Sequence, residues 1–458
     1  MSFTETAPDA AQSRTGADDS PSHPAAPVGP FPSQVLRLLA RISVGEFSAT
    51  GLEKAFGKDF RKRFRESVVV TAPNERGRGK TEGSRGRPEE LRPLEEPSVM
   101  KGVTSMMRKT KVSKPYGSWP SKLTSEVVTA GALRLGGMQF GVGGRPLWLE
   151  GRPQEGGRNV LVADGTDLTP KDMNVRTRVH EYGGGAWKVL PDLGLALFTD
   201  FKTQFLYKQS LATTDLTPLT PEVENAELRF ADFELDATRN RVICVMEDHR
   251  GDGKEPVNSL AAVDLDGGRA EPVTIAAGSD FYASPVLSRD GTKLAYVSWE
   301  HPAMPWDITS IFVVELGEDG LPSSEPKLVA GGPGKEEAPQ QPQFCPDGRL
   351  MYISDEGTGW WNLFELEAEG RGRSICPMPG CEFGGPPWML GTRTYEVLDD
   401  DKILCSYSSA DKPTKTLAYL KISTGALEEV PIPYGVRHTA KLEGREKGLA
   451  DTSPLFRQ

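Results

Sequence analysis

The chain has 458 residues, of which 37% are apolar, with 49 glycines and 37 prolines. That length exceeds what one small core serves, so two modules or one large repetitive one are expected, and the turn-forming residues exclude a long-helix protein. The formal charge of −10 is uneven: residues 51–114 hold 17 Lys/Arg against 9 Asp/Glu, whereas residues 115–458 hold 34 against 50. An acidic body excludes nucleic-acid binding by that part, because phosphate contacts need a basic face.

Five cysteines, Cys244, Cys345, Cys376, Cys381 and Cys405, are scattered and odd in number, so no disulfide framework is expected and a reducing, cytoplasmic setting fits, with organelle targeting left open. The first residues carry acids and no apolar core, which excludes a secretory signal, and no run of about 18 apolar residues is present to span a membrane.

In chain order, residues 1–30 are rich in Pro, Ala, Ser and Asp and are expected to be disordered. Val35, Leu38, Leu39 and Ile42 recur at helical spacing behind Ser33, which allows a short helix over 33–48. The basic stretch that follows, "EKAFGKDFRKRFRE", completes an N-terminal extension assigned to residues 1–113. From about Lys114 the text changes to runs such as "RPLWLEG", "NVLVAD", "RVICVMED", "KLAYVSWE" and "KILCSYS", divided by Gly, Pro, Asp and Asn. These are strands at hairpin spacing with no helical pattern between them.

The copies decide the architecture. "SPVLSRDGTKLAYVS" (284–298) aligns with "QPQFCPDGRLMYIS" (341–354), and "FELDATRNRVICV" (233–245) is a weaker third copy. In each, an Asp-Gly-type pair is expected to supply the positive φ angles of a tight hairpin. A single four-stranded unit cannot bury both its faces, so stacking repeats imply an all-β chain, a β-propeller of about six blades between residues 128 and 435. The propeller domain is assigned to residues 114–435, and residues 436–458, which lose strand alternation, read as an irregular tail of the kind a read-through or frame-shifted end gives.

In order along the chain, "KPYGSWPSKLTSEVV", "NVRTRVHEYGGGAW", "GSDFYASPVLSRDG", "VSWEHPAMPWD", "ISDEGTGWWNLFEL" and "EFGGPPWMLG" resemble the propeller of the prolyl oligopeptidase family of serine peptidases, in its acylaminoacyl-peptidase and dipeptidyl-peptidase-like branch. The resemblance implies a propeller, here incomplete relative to the family, that caps an α/β-hydrolase domain bearing a Ser-Asp-His triad. It further implies short peptides as substrates and a separately encoded hydrolase domain, or self-association through open propeller edges, as partners. No cofactor and no membrane attachment are expected. The alternative is a propeller-only scaffold for protein–protein interaction.

The catalytic text itself is missing from these residues. A nucleophile elbow reads Gly-x-Ser-x-Gly; only Gly372-Arg373-Ser374 has serine two places after glycine, and no closing glycine follows. The five histidines are His23, His180, His249, His301 and His438. No catalytic residue is assigned and none is assigned to a metal: Cys376 and Cys381 lack a second ligand pair, and Asp264, Asp266 and Gly267 read as a turn. His301 and Asp307 read as a bulge between strands, and Trp360 and Trp361 as filling between blades.

The candidate substrate-binding residues are Arg178, His180, Glu181 and Tyr182 in "RVHEYGGG". The three following glycines precede a strand, so a phosphate cradle at a helix start is excluded. Two readings stay open. Glu181 holds a peptide's α-amine, or Arg178, His180 and Glu181 pair internally while the glycines permit close packing at a blade junction.

Overall fold

The computed structural model describes residues 132–431 except Lys254, together with Lys114, Pro115, Gly117, Ser118, Leu123, Thr124, Val127 and Val128. The expected N-terminal extension, including the helix over 33–48, and the expected C-terminal tail lie outside the described residues.

Six antiparallel sheets follow one another along the chain, each with its strands in sequence order: a six-bladed β-propeller. Blade one holds β1 (Arg134–Phe140), β2 (Pro146–Arg152), β3 (Arg158–Ala163) and β4 (Thr166–Asp167); blade two holds β5 (Trp187–Leu190), β6 (Leu195–Thr199), β7 (Leu206–Ser210) and β8 (Leu216–Pro218). Blade three holds β9 (Leu228–Asp236), β10 (Arg241–Asp248), β11 (Val257–Asp264) and β12 (Val273–Ala277), and blade four β13 (Phe281–Leu287), β14 (Lys293–Trp299), β15 (Ser310–Glu315) and β16 (Lys327–Gly331). Blade five is β17 (Gln340–Phe344), β18 (Leu350–Ser354), β19 (Asn362–Leu366) and β20 (Gly372–Ser374). Blade six has a divided first strand, β21 (Cys381–Glu382) and β22 (Tyr395–Val397), both paired with β23 (Lys402–Ser409), then β24 (Lys412–Lys421) and β25 (Ala426–Glu429).

The continuous apolar runs follow from burial on both faces of the central strands. In β10, Val242 and Cys244 join the core shared with blade two, while Ile243 and Val245 join the core shared with blade four. Blades four and five meet through Val297, Ile311, Tyr352 and Phe364, and blades five and six through Met351, Ile353, Tyr395 and Ile403. Blade one packs on blade two through Leu147, Leu161, Trp187 and Phe198, while its other face carries a separate cluster of Met138, Trp148, Val160 and Val162. Among the described residues, none of the six clusters joins blade six to that face.

The repeated sequence maps onto the first hairpin of blades three, four and five. Its turn works differently from the sequence expectation. Gly291 and Gly348 take positive φ (72° and 91°), but Asp290 does not; its carboxylate accepts bonds from Ser288 Oγ, Thr292 N–H and Thr292 Oγ1, which holds its pKa down at about 2. In the weaker copy Asn240, φ 51°, takes the left-handed position.

The first strands of blades three, four and five are bulged where the register shifts, and there a non-glycine residue takes positive φ: Asp232 (57°), Ser284 (52°) and Gln341 (55°). A bulge re-aims the residue it carries, and these residues tie neighbouring blades together. Asp232 Oδ2 accepts the Ser284 N–H at 2.7 Å, Asp232 N–H donates to Gly185 O at 2.9 Å, and Gln341 Oε1 accepts the Thr394 N–H at 2.7 Å.

Candidate functional site

In an antiparallel blade, the connections between second and third strands and the crossings to the next blade lie at one end. Three of them converge: residues 168–186 between blades one and two, residues 300–309 between β14 and β15, and the strap 383–394 that divides the first strand of blade six. The strap leaves the sheet because its text, "FGGPPWMLGTRT", holds Pro386 and Pro387, which cannot donate to a ladder. It is anchored at both ends, by Phe383, fully buried, whose N–H donates to Trp361 O at 2.8 Å, and by Thr394 on Gln341.

The loop "RVHEYGGG" meets the strap directly. Gly184 and Leu390 form a parallel bridge, and the Leu390 N–H donates to Gly183 O at 2.9 Å. A Cβ on Gly184, φ 92°, would stand 2.4 Å from Leu390 O, and one on Gly185 would stand 2.8 Å from the Asp232 nitrogen. The close-packing role expected for these glycines is thus present.

The four candidate residues divide into two pairs. His180 and Glu181 both adopt left-handed backbone, φ 52° and 61°, in a turn closed by Glu181 N–H to Arg178 O (3.0 Å) and Gly183 N–H to Val179 O (2.9 Å). The His180 ring is enclosed edge-on against Phe281 (5.3 Å) and Trp299 (5.4 Å), and its Nε2 has no hydrogen-bond partner. Burial lowers its pKa to about 4, against the opposing pull of Glu247, so the ring is neutral at pH 7. Arg178 lies over the Phe201 ring at 4.7 Å, its N–H donating to Gln204 Oε1 at 2.8 Å. Glu181 and Tyr182 are exposed, and no ion pair joins the Glu181 carboxylate among the described residues.

The internal pairing of Arg178, His180 and Glu181 does not occur. The His180 backbone N–H instead donates to Glu247 Oε1 at 2.6 Å. Glu247, 3% exposed, also accepts from Arg229 Nη1 (3.4 Å) and lies 3.1 Å from His249 Nε2. A carboxylate inside the apolar run "RVICVMED" was the available signal for this anchor, and sequence reasoning passed over it.

Also unforeseen is a group of exposed rings. Tyr182, 57% exposed, stands edge-on to Trp388, 49% exposed, at 5.2 Å, and Trp388 lies 4.3 Å from Trp306; Met389 and Met304 are exposed beside them. Trp388 and Trp306 lie in "EFGGPPWMLG" and "VSWEHPAMPWD", far apart in sequence, and only the fold brings them to Tyr182.

Other expectations resolve plainly. Residues 300–309 are a full connection between β14 and β15, not a bulge, with Asp307 Oδ2 accepting the Met304 N–H at 2.9 Å. Trp361 does fill the core near blade six, donating through Nε1 to Ala338 O at 3.1 Å, whereas Trp360 is 37% exposed and is not core. Gly372–Ser374 is the outer strand β20, so the lone Gly-x-Ser is a ladder residue and no strained elbow. Cys376 and Cys381 are free and partly exposed. None of the described histidines bonds a serine, no His/Cys/Asp/Glu group among the described residues is arranged for a metal, and no described helix is long and apolar enough to cross a membrane.

Neutral, half-buried His180 makes stability pH-dependent. Its folded pKa lies below its unfolded value of 6.5, so the unfolded chain binds the extra proton first, and stability is full above pH 6.5 and falls as pH drops toward about 4. The loss is on the order of 3 kcal/mol at ~1.36 kcal/mol per unit. His180→Asn, which keeps a side chain tolerant of left-handed backbone, is expected to flatten the difference between urea denaturation at pH 7 and at pH 4.5. Parallel curves for the two proteins would refute the assignment.

The fold and this mouth define a class: a six-bladed propeller with a loop-and-strap face carrying exposed rings and a free carboxylate. Among solved structures, the chain is similar to a puromycin-hydrolyzing peptidase of Mycobacterium tuberculosis, at 32% identity and a TM-score of 0.61, over 71% of this chain and 50% of that one. It is likewise similar to a puromycin hydrolase, at 33% identity and a TM-score of 0.62, over 70% and 50%. The propeller of this chain resembles that of prolyl oligopeptidase-family peptidases, as its motifs implied. The chain spans about half the length of these two structures. No protein-family model and no curated protein matches it.

Proposed function

We propose that these residues form the substrate-gating propeller of a prolyl oligopeptidase-family serine peptidase that acts on short peptides, of dipeptidyl or acylaminoacyl type. The observation that carries this reading is one-third identity to two puromycin-hydrolyzing peptidases across the propeller. In it, the loop-and-strap face receives the peptide end, Glu181 pairs with its α-amine, and His180, Arg178 and the glycines hold Glu181 in place. A free carboxylate on a rigid turn suits a cationic amine, since the turn's geometry is fixed before binding.

The 458 residues carry no Gly-x-Ser-x-Gly, so the polypeptide as it stands is expected to bind peptides without hydrolysing them; hydrolysis falls to a hydrolase domain supplied with it. Two measurements test this. A fluorophosphonate probe is expected to leave the purified chain unlabelled, and covalent labelling would overturn the incompetence. Calorimetric titration with a short peptide is expected to show binding that weakens about tenfold on N-acetylation; equal binding of both forms would remove the role of Glu181. In pull-downs, a hydrolase domain as main partner fits this reading, and a set of unrelated proteins fits the scaffold instead.

A further inference from the structure

The cysteines are scattered in sequence but gather in space. Cys345 and Cys405 are fully buried in the core between blades five and six, and Cys376 and Cys381 pack against that same core while keeping part of their surface in solvent. Cys244 lies apart, in the core shared by blades two and three.

Cys376 and Cys381 bound the crossing from blade five to blade six, "CPMPGC". Pro377 and Pro379 fix their own φ and Gly380 takes φ 84°, so the segment is stiff and turns sharply. It leaves and returns to one place on β19. On the way out, the Ile375 N–H donates to Leu363 O at 2.9 Å. On the way back, the adjacent and fully buried Asn362 accepts the Met378 N–H at Oδ1 (2.5 Å) and donates through Nδ2 to Cys381 O (3.1 Å). The Cys381 N–H closes the turn on Met378 O at 3.1 Å. Pinning both flanks to consecutive residues of one strand holds the two cysteines near each other, as the ~4.4–6.8 Å Cα spacing of a disulfide requires. Their sulfurs also feel each other: after burial, the Cys381 sulfur is what raises the Cys376 thiol above its usual range.

We infer that Cys376 and Cys381 are a redox site, a dithiol that closes to a disulfide and staples the exit of blade five to the entry of blade six. The oxidant is a low-molecular-weight disulfide. One cysteine thiolate attacks it, forming a mixed disulfide and releasing one small thiol. The other cysteine then attacks the protein sulfur of that mixed disulfide and releases the second, so two electrons and two protons pass from the cysteine pair to the two thiols set free. Burial raises the Cys381 thiol as well, so little thiolate exists near pH 7 and ionisation does not stabilise the open form. Exchange is therefore slow, and the closed bridge resists reduction. In a reducing setting the pair stays open, and closure records oxidation. Cys405, the other thiol beside Cys376, is fully buried and donates to Ala418 O at 3.4 Å, out of reach of an outside disulfide. What the bridge restrains is the start of blade six: β21 pairs Cys381 and Glu382 with Ser409 and Ser408, and Phe383 next to it anchors the strap on Trp361 O.

The test uses the full chain, incubated at pH 8 with oxidised glutathione, then alkylated and digested with trypsin. Both cysteines fall in one tryptic peptide, 374–393, cut after Arg373 and Arg393. That peptide is expected to carry no alkyl group and to be two hydrogens lighter than its reduced form. The oxidised chain is expected to melt roughly 3–6 °C above the reduced chain, because the bridge closes a short loop in the unfolded state. Cys381→Ser and Cys376→Ser, both at partly exposed positions, are each expected to lose both responses. Alkylation of both cysteines after the incubation, glutathione retained on Cys376 or Cys381 of the unsubstituted chain, or a link from Cys376 to the peptide holding Cys405 overturns the site. A closed bridge with an unchanged melting temperature overturns its role as a staple.

Discussion

Gly184→Val is expected to destabilise the propeller by about 3–5 kcal/mol. Two costs add. A left-handed backbone costs an ordinary residue about 1–2 kcal/mol, and the new Cβ would sit 2.4 Å from Leu390 O and 2.6 Å from Leu390 N, an overlap with backbone that cannot rotate away and costs about 1–3 kcal/mol or more. The strap must lift from the loop to relieve it, which breaks the Leu390 N–H bond to Gly183 O and opens the mouth. Calorimetry should show a melting temperature lower by roughly 10 °C. Gly143→Ala is the control: it has positive φ (67°) but nothing within 4 Å of the added Cβ, so only the backbone cost of about 1–2 kcal/mol applies. Equal losses at the two positions would show that the loop–strap contact carries no weight.

The second large effect is expected at Glu247. Replacing it with alanine leaves the Arg229 guanidinium without its carboxylate and the His180 N–H without its acceptor. Breaking a buried ion pair from one side costs about 3–5 kcal/mol. Glu247→Gln keeps an acceptor oxygen for the His180 N–H and removes only the charge, so it is expected to cost about half as much in urea denaturation. The two variants also differ at the mouth: with alanine the left-handed turn at His180 and Glu181 loses its anchor, and the amine recognition proposed for Glu181 should weaken, whereas glutamine should preserve it. If both variants melt alike and bind alike, the anchor acts through charge alone and the turn is self-supporting.

The legibility of the sequence varied with the range of the interaction. Hairpins were readable because two adjacent strands and a glycine turn are local; the internal repeat at 284–298 and 341–354 pointed to a propeller, and the run of strands to about six blades. The turn chemistry was partly misread, since Asp290 serves as a hydrogen-bond acceptor and leaves the positive φ to Gly291. The glycines of "RVHEYGGG" were readable as packing residues, but their partner, Leu390, lies some two hundred residues away. Glu247 was legible only as an oddity, a buried acid at the end of an apolar strand and next to Asp248. The ring group was not legible at all: Trp388 and Trp306 looked like any tryptophan in a β-protein, and Trp360, which stands exposed, was taken for core.

By itself the sequence determined the β-architecture, the blade count and the family likeness, because alternation, turn residues and repeats are properties of neighbours along the chain. The tertiary structure alone decided which of the four candidate residues face outward, that His180 is half-buried and neutral, and that Tyr182 meets Trp388, which in turn meets Trp306. Those outcomes depend on where blade four and the strap of blade six return in space, and burial and charge are set by neighbours in space that no stretch of sequence names.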